Sequence, residues 1–452
     1  MNPAGWGCPS PRPSIVPPVR RLSIIAALLA AGTGLGCGLS DEGDEGGAPQ
    51  IRVEARDQQA VVKLGFPATA TKNTTRVGGA DEAADLAGVA SAVFPATNDA
   101  NRPDTVVLAR KEDWQDAVAG SVLMADPVNA PMLLSDGDDL PPASRDTLKR
   151  LDPKGIDLTQ GAAVIRIGDD TPAPEGYKPA VIKGGDPYER AAGIDRFFAA
   201  AKGEPSGNVI VTSGEQAEYA MPAAAWAARS GDAVLFARKD ELPAPTKSAL
   251  EAHSKPNIFI LGPPSAVGPK VEDELKKLGK VRRIPGGTPV ESAVELARYQ
   301  KGDFGWGLVQ PGNNYTLATT TRPADAGASA ALAANGIFAP LLLTDDGDEL
   351  PSALENYFLD VQPGFDKEPT PETNVFNHVW LLGDDNAISV ALQGRIDEIT
   401  QLVPVETEGD QQDQGRPPPD GGGGKKDDGG GKDRGGKDRG GGSGKDSSQS
   451  RQ

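Results

Sequence analysis

Ala130-Pro131-Met132-Leu133-Leu134-Ser135-Asp136 returns further along the chain as Ala339-Pro340-Leu341-Leu342-Leu343-Thr344-Asp345. A middle version, residues 233–238, reads Ala-Val-Leu-Phe-Ala-Arg. Each is a short, unbroken apolar run without period-two alternation. That is the pattern of a strand buried on both faces of a parallel sheet rather than of a sandwich strand with one wet face. Behind each run stands Leu-Pro, at 140–141, 242–243 and 350–351. Proline early in a helix removes a donor that would be unpaired anyway, so these positions predict helix starts.

Other elements recur in the same order on either side. A Gly-Gly pair ends the stretches Arg76-Val77-Gly78-Gly79, Val181-Ile182-Lys183-Gly184-Gly185 and Arg283-Ile284-Pro285-Gly286-Gly287. An Ala-rich segment with helical spacing follows each, at 83–92, 189–201 and 290–299. The first two units continue with strand-like runs at 105–109 and 208–212 and helices at 115–125 and 220–228. The third has an atypical Thr/Ala stretch instead. A strand ending in Gly closes each unit, at 163–168, 257–262 and 378–383, and helices at 271–278 and 387–399 follow the last two. Strands alternating with helices predict an α/β fold of three tandem Rossmann-like repeats with parallel sheets. The expected boundaries are 61–183, 184–284 and 285–405.

The flanks read differently. Arg20-Arg21 precedes an apolar run from Leu22 to Gly36, too short for a bilayer-spanning helix and of the length of a secretory signal. The run meets Cys37 and then an acidic, Gly-rich stretch, so 1–36 reads as a signal segment and 37–60 as a linker. This arrangement resembles a bacterial lipoprotein signal, which implies lipidation at Cys37 and attachment to the outer face of the cytoplasmic membrane. Gly34 stands where that pattern usually has Leu, and an ordinary cleaved signal or an uncleaved anchor is the alternative. From Glu406 to Gln452 almost no apolar side chain occurs, and Lys-Asp-Arg units alternate with glycines, a composition expected to stay disordered.

Composition narrows the chemistry. The 452 residues carry a formal charge of -18, which argues against nucleic acid as a partner, since phosphate binding is built on clustered Lys and Arg. Only two Cys and two His occur, so neither a disulfide framework nor a thiolate or His-rich metal site is available. No Gly-x-Gly-x-x-Gly follows a predicted strand and no phosphate loop is present. The Gly-rich stretch 302–307 reads as a surface turn. His253 and His378 lie outside any Ser- or Cys-based triad motif and read as structural. Carboxylates are numerous enough that a pair spaced for glycoside hydrolysis stays open. Asp136 and Asp138 parallel Asp345 and Asp348 just beyond equivalent strands, where ligands of α/β sheets bind. They could hold a hard cation such as calcium or simply form acidic turns opening the next helix. Trp114, Tyr219 and Tyr315 would either line a sugar-binding surface or fill the gaps between neighbouring repeats, and the second is favoured.

Taken together, the Gly-Gly lead, the Ala-rich helix, the Ala-Pro-x-Leu-Leu-[Ser/Thr]-Asp strand, the Leu-Pro step and the strand ending Leu-Gly resemble the cell wall-binding repeat 2 family. The resemblance implies three Rossmann-like repeats packed around a pseudo-threefold axis, held non-covalently on anionic cell-wall polymers of Gram-positive bacteria. The family's Gly-Asp-x-[Phe/Trp]-x-Asp-Ala segment is met by Glu112-Asp113-Trp114-Gln115-Asp116-Ala117, more distantly by Glu215–Ala220, and by Gly312-Asn313-Asn314-Tyr315 with no equivalent acid. Its Gly-x-Asp-Arg-[Tyr/Phe] element is met loosely by Gly185-Asp186-Pro187-Tyr188-Glu189-Arg190. The resemblance thus implies polymer contact at Asp113, Trp114, Asp116, Asp186, Tyr188, Arg190, Tyr219 and Tyr315. Against it stands the field of the repeats, since residues 50–405 carry -16, the leading 49 residues and the tail from Glu406 supplying -1 each. That field repels a polyanion at long range. The expected function is therefore non-enzymatic binding of a cell-wall polymer or envelope glycan by a surface-anchored protein. The alternatives are an interaction scaffold without polymer binding and an envelope glycan hydrolase.

Overall fold

The computed structural model describes residues 68–365 and 374–405. The chain begins with strands β1 (Ala68–Ala70) and β2 (Thr74–Val77), helix α1 (Glu82–Val93), β3 (Val106–Arg110), α2 (Trp114–Gly120) and β4 (Met132–Ser135). It continues through α3 (Pro142–Leu151), β5 (Val164–Ile167) and β6 (Pro179–Ile182). The order then repeats as α4 (Pro187–Lys202), β7 (Asn208–Ser213), α5 (Ala217–Ser230), β8 (Ala233–Ala237), α6 (Ala244–Ala252), β9 (Asn257–Leu261), α7 (Pro269–Leu278) and β10 (Lys280–Ile284). A third pass gives α8 (Pro289–Arg298), β11 (Asn314–Thr319), α9 (Asp325–Asn335), β12 (Leu341–Thr344), α10 (Ser352–Asp360) and β13 (Gly364–Phe365). It ends with β14 (His378–Leu382), α11 (Val390–Ile399) and β15 (Val403–Pro404).

Three sheets result, in the orders β4-β3-β5-β6, β8-β7-β9-β10 and β12-β11-β14-β2-β1, with β13 and β15 forming a small separate pair. Within the three sheets every pairing is parallel except β1 with β2. The apolar runs that decided the fold are β4, β8 and β12, buried along their whole length. The Leu-Pro steps place Pro141, Pro243 and Pro351 at the N-caps of α3, α6 and α10.

The strand in front of each Gly-Gly pair completes the sheet before it. β6 closes the first sheet and β10 the second, while β2, inside the stretch expected to form the first repeat, pairs with β14 of the third. The register runs from Val379 opposite Thr74 to Leu382 opposite Val77. Side chains of α11 clamp this imported strand. Asp397 accepts from the Thr71 hydroxyl and the Asn73 N–H, both at 2.6 Å, and the Gln393 amide donates to the Thr74 hydroxyl. Arg76 donates to the carbonyls of Gly383, Asp384 and Ile388. Arg283, at the matching place in β10, donates to the carbonyls of Gly262 and Val267.

After each Gly-Gly turn the chain enters the helix of the next repeat under an oxygen cap. Asp81, Asp186 and Thr288 accept from the N–H groups of Ala84, Glu189 and Glu291, the usual way of satisfying an orphan donor. The glycines allow the close approach of turn and helix. A Cβ at Gly184 would stand 2.6 Å from the Arg190 backbone nitrogen, and one at Gly286 2.6 Å from the Ser292 Cα.

The centre is built from the helices that follow the first strand of each sheet. α2 with its 3₁₀ continuation Ser121–Met124, α5 and α9 pack against one another. Ala223, Ala224 and Ala225 in α5, and Ala326, Ala330 and Ala333 in α9, have no exposed surface. Methyl-sized side chains let the backbones approach, and Ala carries the best helix propensity. The Thr/Ala stretch that looked atypical is therefore strand β11 followed by the central helix α9, apolar all round because it is buried all round. The stretch read as a surface turn also reaches inward. Lys301 and Phe304 close the turn, but the Phe304 ring is fully buried, stacked on Phe259 at 3.6 Å and beside Trp226 at 5.1 Å.

Ala224→Leu inserts three extra carbons at a fully buried position between packed helices, so it should cost about 1–3 kcal/mol as overpacking. Urea denaturation checks this; an unchanged midpoint would show that the helical centre is loose.

Candidate functional site at the seams between repeats

Each helix after a Gly-Gly turn touches two sheets' worth of structure. α1, α4 and α8 pack in turn against α9, α2 and α5, so the contacts form a closed cycle. Equivalent positions meet at each seam: the fourth residue after the helix cap, and two residues at the start of the central helix.

At the seam of α4 with α2, these are Arg190, Asp113 and Asp116. The Arg190 Nε donates to Asp116 Oδ1 at 2.8 Å, and its Nη2 lies 3.1 Å from Asp113 Oδ1. The Asp116 side chain is 2% exposed and its Oδ2 has no hydrogen-bond partner. Burial pushes the Asp116 carboxyl up to about 7, against the pull of Arg190. The Trp114 ring, at the start of α2, stands edge-on to Phe236 of β8 at 5.9 Å. Tyr188 is buried with the Arg238 guanidinium 4.8 Å from its ring centre, and Asp186 is the exposed cap of α4.

At the seam of α1 with α9 the polarity is reversed. The helix supplies Asp85, and the start of α9 supplies Arg322 and Asp325. Arg322 Nη2 donates to Asp85 Oδ2, its Nε lies 3.2 Å from Asp325 Oδ2, and the Gly79 N–H donates to Asp85 Oδ1 at 2.5 Å. Glu82 accepts from the Ala324 N–H at 2.8 Å and thereby caps the entry to α9. Both carboxylates are fully buried and share one guanidinium. Burial pushes Asp85 up to about 6, and burial together with the neighbouring Asp85 pushes Asp325 well up. Both shifts favour the protonated form, so this seam takes up protons more readily than free carboxyls do.

At the seam of α8 with α5 the equivalent positions carry no charge. Ser292 and Tyr219 take the equivalent places, and the Tyr219 hydroxyl donates to the Gly287 carbonyl at 3.0 Å. Aromatic rings fill the space, with Trp226 beside Trp306 at 5.4 Å and Phe259 edge-on to Tyr299 at 6.0 Å. The glycines that end β5, β9 and β14 make room for these groups. Gly168, Gly262 and Gly383 have φ of +85°, +106° and +100°, and a Cβ at Gly383 would stand 2.8 Å from Arg322 Nη1.

The third acid of the seam set is thus Asp325. The expected counterpart, Gly312-Asn313-Asn314-Tyr315, leads into β11 instead, and Tyr315 is buried in the core edge-on to Tyr357 and Phe358. The signal that would have found it is Asp325-Ala326, matching Asp116-Ala117 at the start of the central helix. Asp85 and Arg322 carried no motif and were not anticipated. Asp136 and Asp138 lie exposed in a turn closed by mutual backbone bonds of Asp136 and Asp139. Asp345 and Asp348 are likewise exposed, and Asp346 caps that turn by accepting from the Asp348 N–H. Among the described residues no three His, Cys, Asp or Glu side chains are grouped to hold a metal. Cys37 lies outside the described residues.

His253 faces the Ser206 carbonyl through Nδ1 at 2.7 Å and both Asp195 oxygens through Nε2 at 3.0 Å. Burial alone would lower its pKa, but Asp195 raises it, so the ring acts as a doubly donating brace and has no free nitrogen to serve as a base. Beside the first seam lies an open depression of about 480 Å³ lined by Asp169, Lys183, Gly184, Gly185, Glu189 and Arg196.

Arg190→Ala should cost about 3–5 kcal/mol at pH 8, because it leaves the Asp116 charge buried and unpaired. The raised Asp116 pKa makes that carboxyl neutral in acid, so the penalty should shrink at pH 5. Urea melts at the two pH values check this; an equal loss at both would contradict it.

Residues 181–272 and 283–393 match the family model described as cell wall binding domain 2. Two solved structures share the fold, Cwp6 from Clostridium difficile (TM-score 0.59, 17% identity) and Cwp8 from Clostridium difficile (TM-score 0.56, 19% identity). The likeness covers 77% and 76% of this chain and 54% of each of those chains. The amidase enhancer of Bacillus subtilis (strain 168) is 25% identical over 199 residues, 44% of this chain. The chain spans about a quarter (26%) of that relative's length. The second and third sheets thus lie largely in the matched segments, which resemble repeats of the cell wall binding domain 2 family.

Proposed function

We propose that the protein is a non-catalytic, surface-anchored binder of a cell-wall polymer, built from three repeats, 61–183, 184–284 and 285–405, related by a pseudo-threefold axis. The observation that carries this reading is the match of two segments to a wall-binding family. The cyclic equivalence of the three seams supports the threefold relation. Attachment through a lipid on Cys37 would hold the repeats at the outer face of the cytoplasmic membrane, within reach of the wall.

The geometry favours contact at the first seam. Arg190, Arg283, Arg322 and Arg76 are occupied inside the protein. Lys183 stays open, its side chain 78% exposed and 3.9 Å from Asp169, and Arg196 lines the same depression. Two cations beside two acids suit a polymer of mixed or modest charge, which also answers the repulsion expected from the overall field. Asp113, Trp114 and Asp186, which keep some exposed surface, would extend the contact. Asp116, Tyr188, Arg190, Tyr219 and Tyr315 would act by holding the seams and the core in shape. Exposed Asp136, Asp138, Asp345 and Asp348 would add calcium bridges to an anionic polymer.

A second reading is an interaction scaffold that works on another wall protein, and the partial likeness to an amidase enhancer favours it. Co-sedimentation of the full chain with isolated Gram-positive walls, across a salt series and with calcium or a chelator, separates the two. Polymer binding predicts retention that Lys183→Glu with Arg196→Glu weakens by roughly tenfold, as loss of two charge contacts would. A chelator effect would bring in the acidic turns. No retention under any condition would sink the wall-polymer reading and favour the scaffold.

A further inference from the structure

Three seams with the same backbone frame carry three different chemistries, and two of them are ion pairs of opposite polarity. On the helix side stand Asp85, Arg190 and Ser292; on the central-helix side stand Arg322 with Asp325, Asp113 with Asp116, and Gln216 with Tyr219. Chain connectivity brings α4 and α8 to their seams, since each follows by one Gly-Gly turn on the strand that completes the neighbouring sheet. Connectivity does nothing of the kind for β2 and α1. Their partners are far away in sequence, 237 residues between Asp85 and Arg322 and 307 between Arg76 and Gly383.

Until β6 docks, the first sheet offers β2 a nearer parallel edge on β5. Taking it would place Asp85 where Arg190 belongs, against Asp113 and Asp116. Three carboxylates would then be buried with no guanidinium among them, an arrangement that buried charge does not tolerate. The mirror error, α4 on the third repeat, would set Arg190 against Arg322. The groups facing Asp85 in its proper place are Arg322, Asp325 and Asp81, with Arg76 behind it and Glu82 on the next turn. Among these, only Arg322 is a cation at hydrogen-bonding distance from it.

We propose that the reversed polarity of the closing seam is a sorting device. It directs the β2–α1 segment to the third repeat and rejects the first, so that the cycle closes within one chain. Specificity of this kind needs a penalty for the wrong partner as well as a reward for the right one.

The test uses the full chain and four variants: Asp85→Arg, Arg322→Asp, the two combined, and Asp85→Asn. Thermal midpoint reads the native seam, and the monomer fraction after refolding from urea, by size exclusion, reads the sorting. Each single reversal should lower the midpoint by several degrees, and the combination should recover most of that loss, because it copies the arrangement of the first seam. The combined variant should nevertheless refold poorly, its monomer yield falling by roughly threefold or more, since the reversed helix now suits the first repeat as well. Asp85→Asn serves should the reversals fail to fold. It lifts the repulsion without distorting the site, and monomer yield should fall by about twofold. A combined variant no more stable than the singles would overturn the pairing. A combined variant or Asp85→Asn that refolds to monomer as fully as the parent would overturn the sorting.

Discussion

Two parallel strands cannot be joined by a hairpin, so each parallel strand must be reached by a crossover or be supplied from elsewhere in the chain. In this protein the last parallel strand of each of the three larger sheets leads on into another repeat: β6 and β10 complete the sheets of their own repeats, and β2 completes that of the third. The strand that completes a sheet turns at a Gly-Gly pair into the helix that opens the next repeat, so strand and helix rivet two neighbours together. For the third sheet the rivet is β2–α1, from the opposite end of the described fold. The three repeats therefore share one structure, and the seams, rather than the sheets, are where that structure is decided.

The seams differ in what they ask of pH. Asp85, Asp116 and Asp325 all have folded pKa values above the ordinary 3.8, so the folded protein holds protons that the unfolded chain releases. The contribution of Asp85 and Asp116 is full below that value and is lost as pH rises through about 6 and about 7, and that of Asp325 is likewise lost as pH rises. His253, also raised, acts in the same direction: its contribution is full below 6.5 and lost as pH rises further. The aromatic seam has none of this dependence. A closed cycle with two titrating joints and one apolar joint is expected to loosen at the charged joints first.

Much of this was legible in the sequence. Buried apolar runs, Leu-Pro steps and Gly-Gly turns set out most of the strand and helix order of the first two units and part of that of the third, because each reports a local steric or burial requirement. What escaped were consequences of long-range pairing. Nothing in Thr74–Val77 says that it pairs with residues near 380 rather than with its own repeat. Helix α9 was hidden because total burial removes the polar face that periodicity depends on. Asp325 was missed because Gly312–Tyr315 was set against the acidic motif, although Asp325 follows the end of β11 at the same distance as Asp116 follows the end of β3. Asp85 and Arg322 are visible only once the fold brings them together. Phe304 sat in a glycine-rich turn, whose backbone was read correctly while its ring was not.

The proposed wall association rests on the match of two segments to a family model, whereas the architecture of the molecule rests on closure by β2. Hydrogen exchange of the full chain, followed by mass spectrometry on peptides covering 74–77 and 378–382, tests that closure most directly. If β2 completes the third sheet, the amides of both segments should exchange slowly and lose protection together as denaturant is raised. Fast exchange of 74–77 beside a fully protected 378–382 would show that the strand is not part of the sheet, and the closed cycle would have to be abandoned.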